Sequence, residues 1–314
     1  MSITIEEMLP EIEQGRCILF LGSGSSADCE SAVGGGLTAA GLTQELVRFL
    51  GKDIANFPTT LKEISEIIES CSPRHRAALD DFIHDRLHDL RPTIAHLLLT
   101  MFPWRAIVTT NFNQAVETGY AVARERGLTA RSCRPVLKDD DLAGLNPVDG
   151  EIALFKPHGC ISIRGDHDAP MVLTQKDYHL SIQKRQAIYS HIRELAQSHV
   201  TLFIGYSLED YSFNNLYYEL QAARQEYMPQ SYAVQPLRRE KAPYMTRSYA
   251  SRRITLVDDK AEPFMVSLAH RAELLSDIVS DVAVTELSRP DVLKRLGEYA
   301  DSLPASIRER LPPT

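Results

Sequence analysis

An α/β fold, a doubly wound (Rossmann-like) parallel sheet with a helical insertion subdomain and C-terminal helices, is predicted by three features of this 314-residue chain. Short continuous apolar runs recur along it, the pattern of strands covered on both faces. Helix-period stretches separate the runs, as βαβ units require. Each run empties into small or polar residues, and open parallel sheets place ligands at such strand ends.

Thr4 is a fitting N-cap for a first helix through Gln14, closed by Gly15. The apolar run Cys17 to Leu21 follows and leads into Gly22-Ser23-Gly24-Ser25-Ser26. Glycines there let the backbone bend and bring its N–H groups against a pyrophosphate; an ordinary tight turn between strand and helix accounts for the same residues. Gly34, Gly35 and Gly36 read as a flexible loop or as a mobile lid beside a ligand. From Thr38 the period is helical: Leu42, Leu46, Val47 and Leu50, then Leu61, Ile64, Ile67 and Ile68, then a helix opening at Ser72-Pro73 and breaking before Pro92. This is the expected insertion, about residues 37–102. It includes an apolar helix from Thr93 to Met101 in which His96 packs or caps.

Ala106 to Val108 is the next strand, ending in Thr109-Thr110-Asn111-Phe112-Asn113, with a helix from about Gln114 to Arg126 stopped by Gly127. Residues 131–150 read as an irregular solvated loop whose aspartates Asp139, Asp140, Asp141 and Asp149 face water. Ile152 to Phe155 is a strand presenting Lys156-Pro157-His158-Gly159 at its end. A long helix through about Ser198 opens at Leu173-Thr174-Gln175-Lys176-Asp177-Tyr178. Strand Thr201 to Ile204 then ends in Gly205-Tyr206-Ser207-Leu208-Glu209-Asp210. A helix to about Glu226, strands Tyr232 to Val234 and Ile254 to Val257, and helices Pro263 to Ala283 and Pro290 to Leu303 complete the chain. Residues 1–260 form the expected main domain and 261–314 a helical extension. Phe264, Val266, Leu268, Leu274, Leu275, Ile278, Val279 and Val282 are more apolar positions than one helix face buries, so homo-oligomer contacts are expected there; covering one side of the sheet accounts for the same residues.

The 44% hydrophobic content suffices for a full core. A formal charge of -8 and a pI near 5.7 speak against direct nucleic-acid binding, which calls for clustered Lys and Arg. The cysteines Cys17, Cys29, Cys71, Cys133 and Cys160 are odd in number and form no C-x-x-C pair, the usage of reduced cytoplasmic thiols rather than disulfides or zinc. The first residues are acidic and amphipathic, and no run approaches the roughly 18 apolar residues of a spanning helix. A cytoplasmic protein with no membrane partner is expected.

Two side chains at strand ends carry chemistry. Asn111 is short, polar and uncharged, suited to orienting a water or a ribose hydroxyl, or to capping the helix after it. His158 can serve as a base, since histidine ordinarily titrates near neutrality, or simply occupy a turn. The other histidines show no paired ligand spacing.

Taken together and in this order, GSGSS, TTNFN, KPHG and GYSLED resemble the sirtuin-like (SIR2) superfamily over roughly Cys17 to Val257. The strings LTQKDY and GYSLED are most similar to the bacterial SIR2-like domains of antiviral defence systems. The resemblance implies an NAD+ glycohydrolase releasing nicotinamide and ADP-ribose, acting as an antiphage effector that depletes NAD+. It implies Asn111 and His158 as catalytic residues, and Gly22, Ser23, Gly24, Ser26, Thr110, Asn113, Gly205, Ser207 and Asp210 as binding residues for NAD. It further implies a homo-oligomer and a defence-system partner such as an ATPase. Deacylating sirtuins carry a zinc ribbon with two C-x-x-C pairs; this chain has none, which disfavours the alternative of an NAD-dependent protein deacylase, and no zinc is expected. Asn113 stands where the family usually has Asp, at a position assigned to the nicotinamide carboxamide. That departure keeps a non-catalytic NAD or ADP-ribose-sensing module as a further alternative.

Overall fold

The computed structural model describes residues 2–31, 34–35, 37–51, 60–71, 75–145, 150–163, 169–206, 229–237 and 242–274. Its centre is β1 (Cys17–Leu21), apolar and buried at every position. Around it stand β4 (Ala106–Thr109), β5 (Ser132–Val136), β6 (Glu151–Phe155), β7 (Val200–Ile204), β8 (Ser231–Val234) and β9 (Ile254–Val257). Together they make a seven-stranded sheet of order β5-β6-β4-β1-β7-β8-β9, parallel at every pairing. From β1 the chain builds β4, β5 and β6 on one side, then crosses to β7 on the other. The order therefore reverses at β1, and Leu21 pairs with both Thr109 and Ile204, so three strands end level there. This is the crevice in which an open α/β sheet holds its ligand.

Alternation along β1 divides the core. Cys17, Leu19 and Leu21 face one layer, Ile18 and Phe20 the other. The first layer is built by α1 (Ser2–Glu13), α5 (Ile94–Leu99), α6 (Ala115–Glu125) and α10 (Ala261–Arg271), the second by α8 (Gln186–Ser198) and α9 (Ala242–Ala250). A third cluster joins α2 (Ala39–Phe49), α3 (Leu61–Cys71) and α4 (His75–Leu87) through Leu42, Leu46, Ile64, Ile68, Leu79 and Ile83. It continues into Phe112, Cys160 and Leu173, so these helices rest on the loops at the sheet's carboxyl end. Thr38 caps α2, its hydroxyl accepting the Gly41 N–H at 3.2 Å. The start expected at Ser72-Pro73 lies outside the described residues.

Several expectations are corrected. Residues 132–136 are not loop but strand β5, at the sheet edge, where Pro135 is tolerated and only Val136 is buried. The aspartates after it do more than face water. Asp141 accepts the N–H groups of Leu137 and Lys138 at 2.8 and 3.0 Å, and Asp139 those of Ala187 and Ile188 at the start of α8. The helix expected from Leu173 to Ser198 is two, α7 (Gln175–Lys184) and α8, broken at Arg185 (φ -124°, ψ 36°). Gly34 and Gly35 form a two-residue strand, β3, paired with β2 (Glu30–Ser31). α5 packs on α6 and α10 in the first layer, while α2 to α4 pack on one another in the third cluster. In α10, Phe264, Val266 and Leu268 are buried in that layer; their role is to cover the sheet, and they no longer argue for contacts between copies. The helix expected to Glu226, and everything expected beyond residue 274, lie outside the described residues. Among the described residues no helix is long and apolar enough to cross a membrane.

Candidate active site at the carboxyl end of β1 and β7

The loop after β1 is a 3-10 turn, Ser23–Ser26, pressed against the loop after β7. Gly22 N–H donates to the Ile204 carbonyl at 3.0 Å and Gly24 N–H to the Gly205 carbonyl at 2.9 Å. A Cβ on Gly22 would run into the Gly205 carbonyl and Tyr206, and Gly205, at φ +62°, has no room for a Cβ against Ser25 N. The glycines are thus required for two loops to meet. The N–H groups of Gly22, Gly24 and Ser25 are given to protein carbonyls.

Asn111 braces the same loop. Its Nδ2 donates to the Gly22 carbonyl at 3.0 Å, with Ser25 Oγ at 3.3 Å and Ser26 Oγ at 3.4 Å. Because a carbonyl can only accept, this contact fixes the amide's orientation and turns Oδ1 away from the loop. The helix-capping task belongs instead to Asn113, whose Oδ1 accepts the N–H of Ala115, the first residue of α6, at 3.2 Å.

His158 follows β6 and is 4% exposed, so it lies in a buried wall rather than projecting into solvent. Tyr178 on α7 meets its ring edge-on, with centroids 5.2 Å apart and planes at 81°. The His158 carbonyl accepts from Val172 N–H at 2.9 Å. Its turn is held from two sides by buried cations. Arg185, 1% exposed, donates to the Pro157 carbonyl and, at 2.9 Å, to that of Pro170. Lys156, wholly buried, reaches the Asn113 carbonyl at 2.6 Å, Glu117 at 2.8 Å and Cys160 Sγ at 3.1 Å. Burial opposes the Lys156 charge, but Glu117 and Cys160 outweigh it, and its pKa is raised.

These loops line a cleft of about 440 Å³, within the range of small-molecule sites. It brings together Gly22, Ser23, Thr110, Asn111, Asn113, His158 and Gly205. Gly24 and Ser26 do not reach its wall; Ser26 is buried behind the turn. Ser207 and Asp210 lie outside the described residues. The far wall comes from the insertion, with Thr38 and Leu42 of the α2 segment and Thr60 and Lys62 of the α3 segment. Sequence reasoning did not assign this wall, nor Tyr178, Lys156 or Arg185. A lysine directly after a buried strand was the available signal for Lys156; Arg185 had none.

The string from Leu173 to Tyr178 has a structural explanation. Thr174 caps α7, and Asp177 accepts the N–H groups of Leu173 and Thr174 and an Arg76 guanidinium N–H at 2.7 Å. Arg76 also donates to the Met171 carbonyl at 2.8 Å, tying α4 to the segment behind His158.

Residues 105–254 match the SIR2-like domain family. The match contains β4, the Asn111 and His158 loops and β7, and it supports the sirtuin-like superfamily. SIR2-like domains bind and use NAD, and the architecture here is a Rossmann-like α/β sheet with its cleft at the β1/β7 switch point. A comparison of the chain with curated proteins finds no match. Among the described residues, no three His, Cys, Asp or Glu side chains are grouped to hold a metal ion.

Proposed function

We propose that this chain is an NAD+ glycohydrolase that converts NAD+ and water to nicotinamide, ADP-ribose and a proton. The observation that carries the reading is the joint placement of Asn111 and His158 on one cleft with Ser23, Thr110 and Gly205, at the strand ends where the sheet order reverses. Nicotinamide leaves NAD+ as a neutral group, so bond cleavage needs no general acid; the costly species is the oxocarbenium-like transition state. Holding the pyrophosphate and adenosine remotely lets binding energy position the reacting ribose in a dry wall. Asn111 Oδ1 orients the incoming water or the ribose hydroxyls, and His158 accepts the water's proton.

The resemblance to bacterial defence proteins supports NAD+ depletion as the biological output, with homo-oligomer assembly or a partner such as an ATPase controlling it. The deciding experiment incubates purified full-length protein with NAD+, alone and with candidate partners, and measures nicotinamide and ADP-ribose by chromatography. Release of both in equal amounts supports the reading. Tight binding of NAD+ or ADP-ribose with no release under any condition refutes hydrolysis and favours a sensing module, and acetyl transfer from an acetyl-lysine peptide would favour a deacylase.

A further inference from the structure

The side chain of Lys156 joins three segments: the loop before α6, the first turn of α6, and the stretch after His158. Its three ammonium donors go to the Asn113 carbonyl before α6, to Glu117 in the first turn of α6, and to Cys160 after His158. Lys156 and Cys160 bracket the turn that carries His158, so the contact between them braces that turn from within. The Asn113 contact fixes the same turn against the loop carrying Asn111, and Ile161 N–H adds a backbone tie to the Phe112 carbonyl at 3.0 Å. A buried ion pair adds little stability over a well-packed apolar pair of similar volume, yet it fixes direction.

We propose that Lys156 is a positioning residue that sets the spacing between the Asn111–Asn113 loop and the His158 turn, and through it the grip on the nicotinamide end of the ligand. This rests on the glycohydrolase reading for which end of NAD+ those loops face. The ADP-ribose end falls to the Gly22–Ser23 and Gly205 loops, which are joined to each other by backbone hydrogen bonds and meet the Asn111 loop through the Asn111 Nδ2 bond to the Gly22 carbonyl. Loss of Lys156 therefore separates the two ends of the ligand.

The test uses the full chain with Lys156→Met, the double variant Lys156→Met with Glu117→Met, and two probes, ADP-ribose and a non-hydrolysable carbocyclic NAD, titrated by calorimetry. Lys156→Met alone leaves Glu117 unpaired and lowers the melting temperature; the double variant removes both charges and recovers it. The expected result is that the recovered double variant still binds carbocyclic NAD at least about tenfold more weakly than wild type while ADP-ribose stays within about twofold, since misplacement of about 1 Å at a reacting centre is costly. Nicotinamide release falls with the carbocyclic NAD affinity. Should the double variant not fold, Glu117→Gln, which keeps an oxygen on Nζ, is expected to shift the same affinity ratio in the same direction. Recovery of carbocyclic NAD binding together with stability, or equal weakening of both probes, would overturn the proposal and leave Lys156 a purely structural residue. Wild type that binds carbocyclic NAD but releases no nicotinamide from NAD+ refutes hydrolysis, with the affinity ratio still deciding the role of Lys156; wild type that binds neither probe refutes both.

Discussion

Replacing Asn111 separates its two jobs. In Asn111→Ala the Gly22 carbonyl keeps Ser25 N–H at 2.9 Å and Ser25 Oγ at 2.8 Å, so no buried acceptor is orphaned. The loss is one good hydrogen bond and two long ones, about 1 kcal/mol net, or roughly 2–4 °C in melting temperature for a domain of this size. Activity should fall much further, by about 10² to 10³, the range for removing one preorganised polar group at a transition state. A loss of 1 kcal/mol in stability leaves the protein folded at 25 °C and cannot produce that fall. Asn111→Asp has nearly the same shape but sets an acceptor about where Nδ2 stood, 3.0 Å from the Gly22 carbonyl. It should cost about 1–3 kcal/mol and so be less stable than the alanine variant despite being the smaller change. Scanning fluorimetry and nicotinamide release on the three proteins decide the matter. An aspartate variant as stable as wild type would mean that Nδ2 does not face Gly22, and an alanine variant with turnover within about threefold of wild type would remove Asn111 from the chemistry.

Gly205→Ala must leave the left-handed region or strain it, at about 1–2 kcal/mol, and its Cβ would force apart the loops joined by the Gly22 and Gly24 N–H bonds, at about 1 kcal/mol each. A fall of roughly 6–16 °C in melting temperature is expected, and an unchanged midpoint would contradict the loop-to-loop account. His96 is fully buried, its Nδ1 in contact with Thr93 N–H and Oγ1 at 3.3 and 2.9 Å, and burial pushes its pKa down to about 4. The unfolded chain binds this proton near pH 6.5 and the folded one does not until about pH 4, so folding loses about 3 kcal/mol as pH falls through that window. Denaturant unfolding of His96→Asn, which keeps a capping oxygen without titrating, should show a flatter acid limb; an acid limb identical to that of wild type would exclude His96 as its source.

What was legible in the sequence follows from which forces leave a local trace. β1, β4 and β7 are buried on both faces, so each must be a continuous apolar run, and the polar cluster after each marks the crevice. β5 leaves no such trace, because an edge strand with one buried side chain can be spelled Ser-Cys-Arg-Pro-Val. The break between α7 and α8 was invisible for the opposite reason: Arg185 looks like any surface arginine, and its burial is met by the distant carbonyls of Pro157 and Pro170. Asn111 and Asn113 are two residues apart with identical side chains, and the sequence assigned capping to neither with certainty; the difference lies in Gly22, 89 positions away from Asn111. The insertion's wall of the cleft, Thr60 and Lys62, depends likewise on tertiary placement.

The glycines give the sharpest case. Gly22, Gly24 and Gly205 were readable as sites of close backbone approach, and that is what they are, but a missing Cβ records only that something comes near. Here the approaching group is the neighbouring loop: Gly205 excludes a side chain because Ser25 N lies against it, and Gly24 because Gly205 does. On the cleft side the paired loops present Ser23, beside Thr110 and Asn111 of the loop after β4. The two loops are thus joined backbone to backbone, and the opposite wall of the cleft is formed by the α2 and α3 segments.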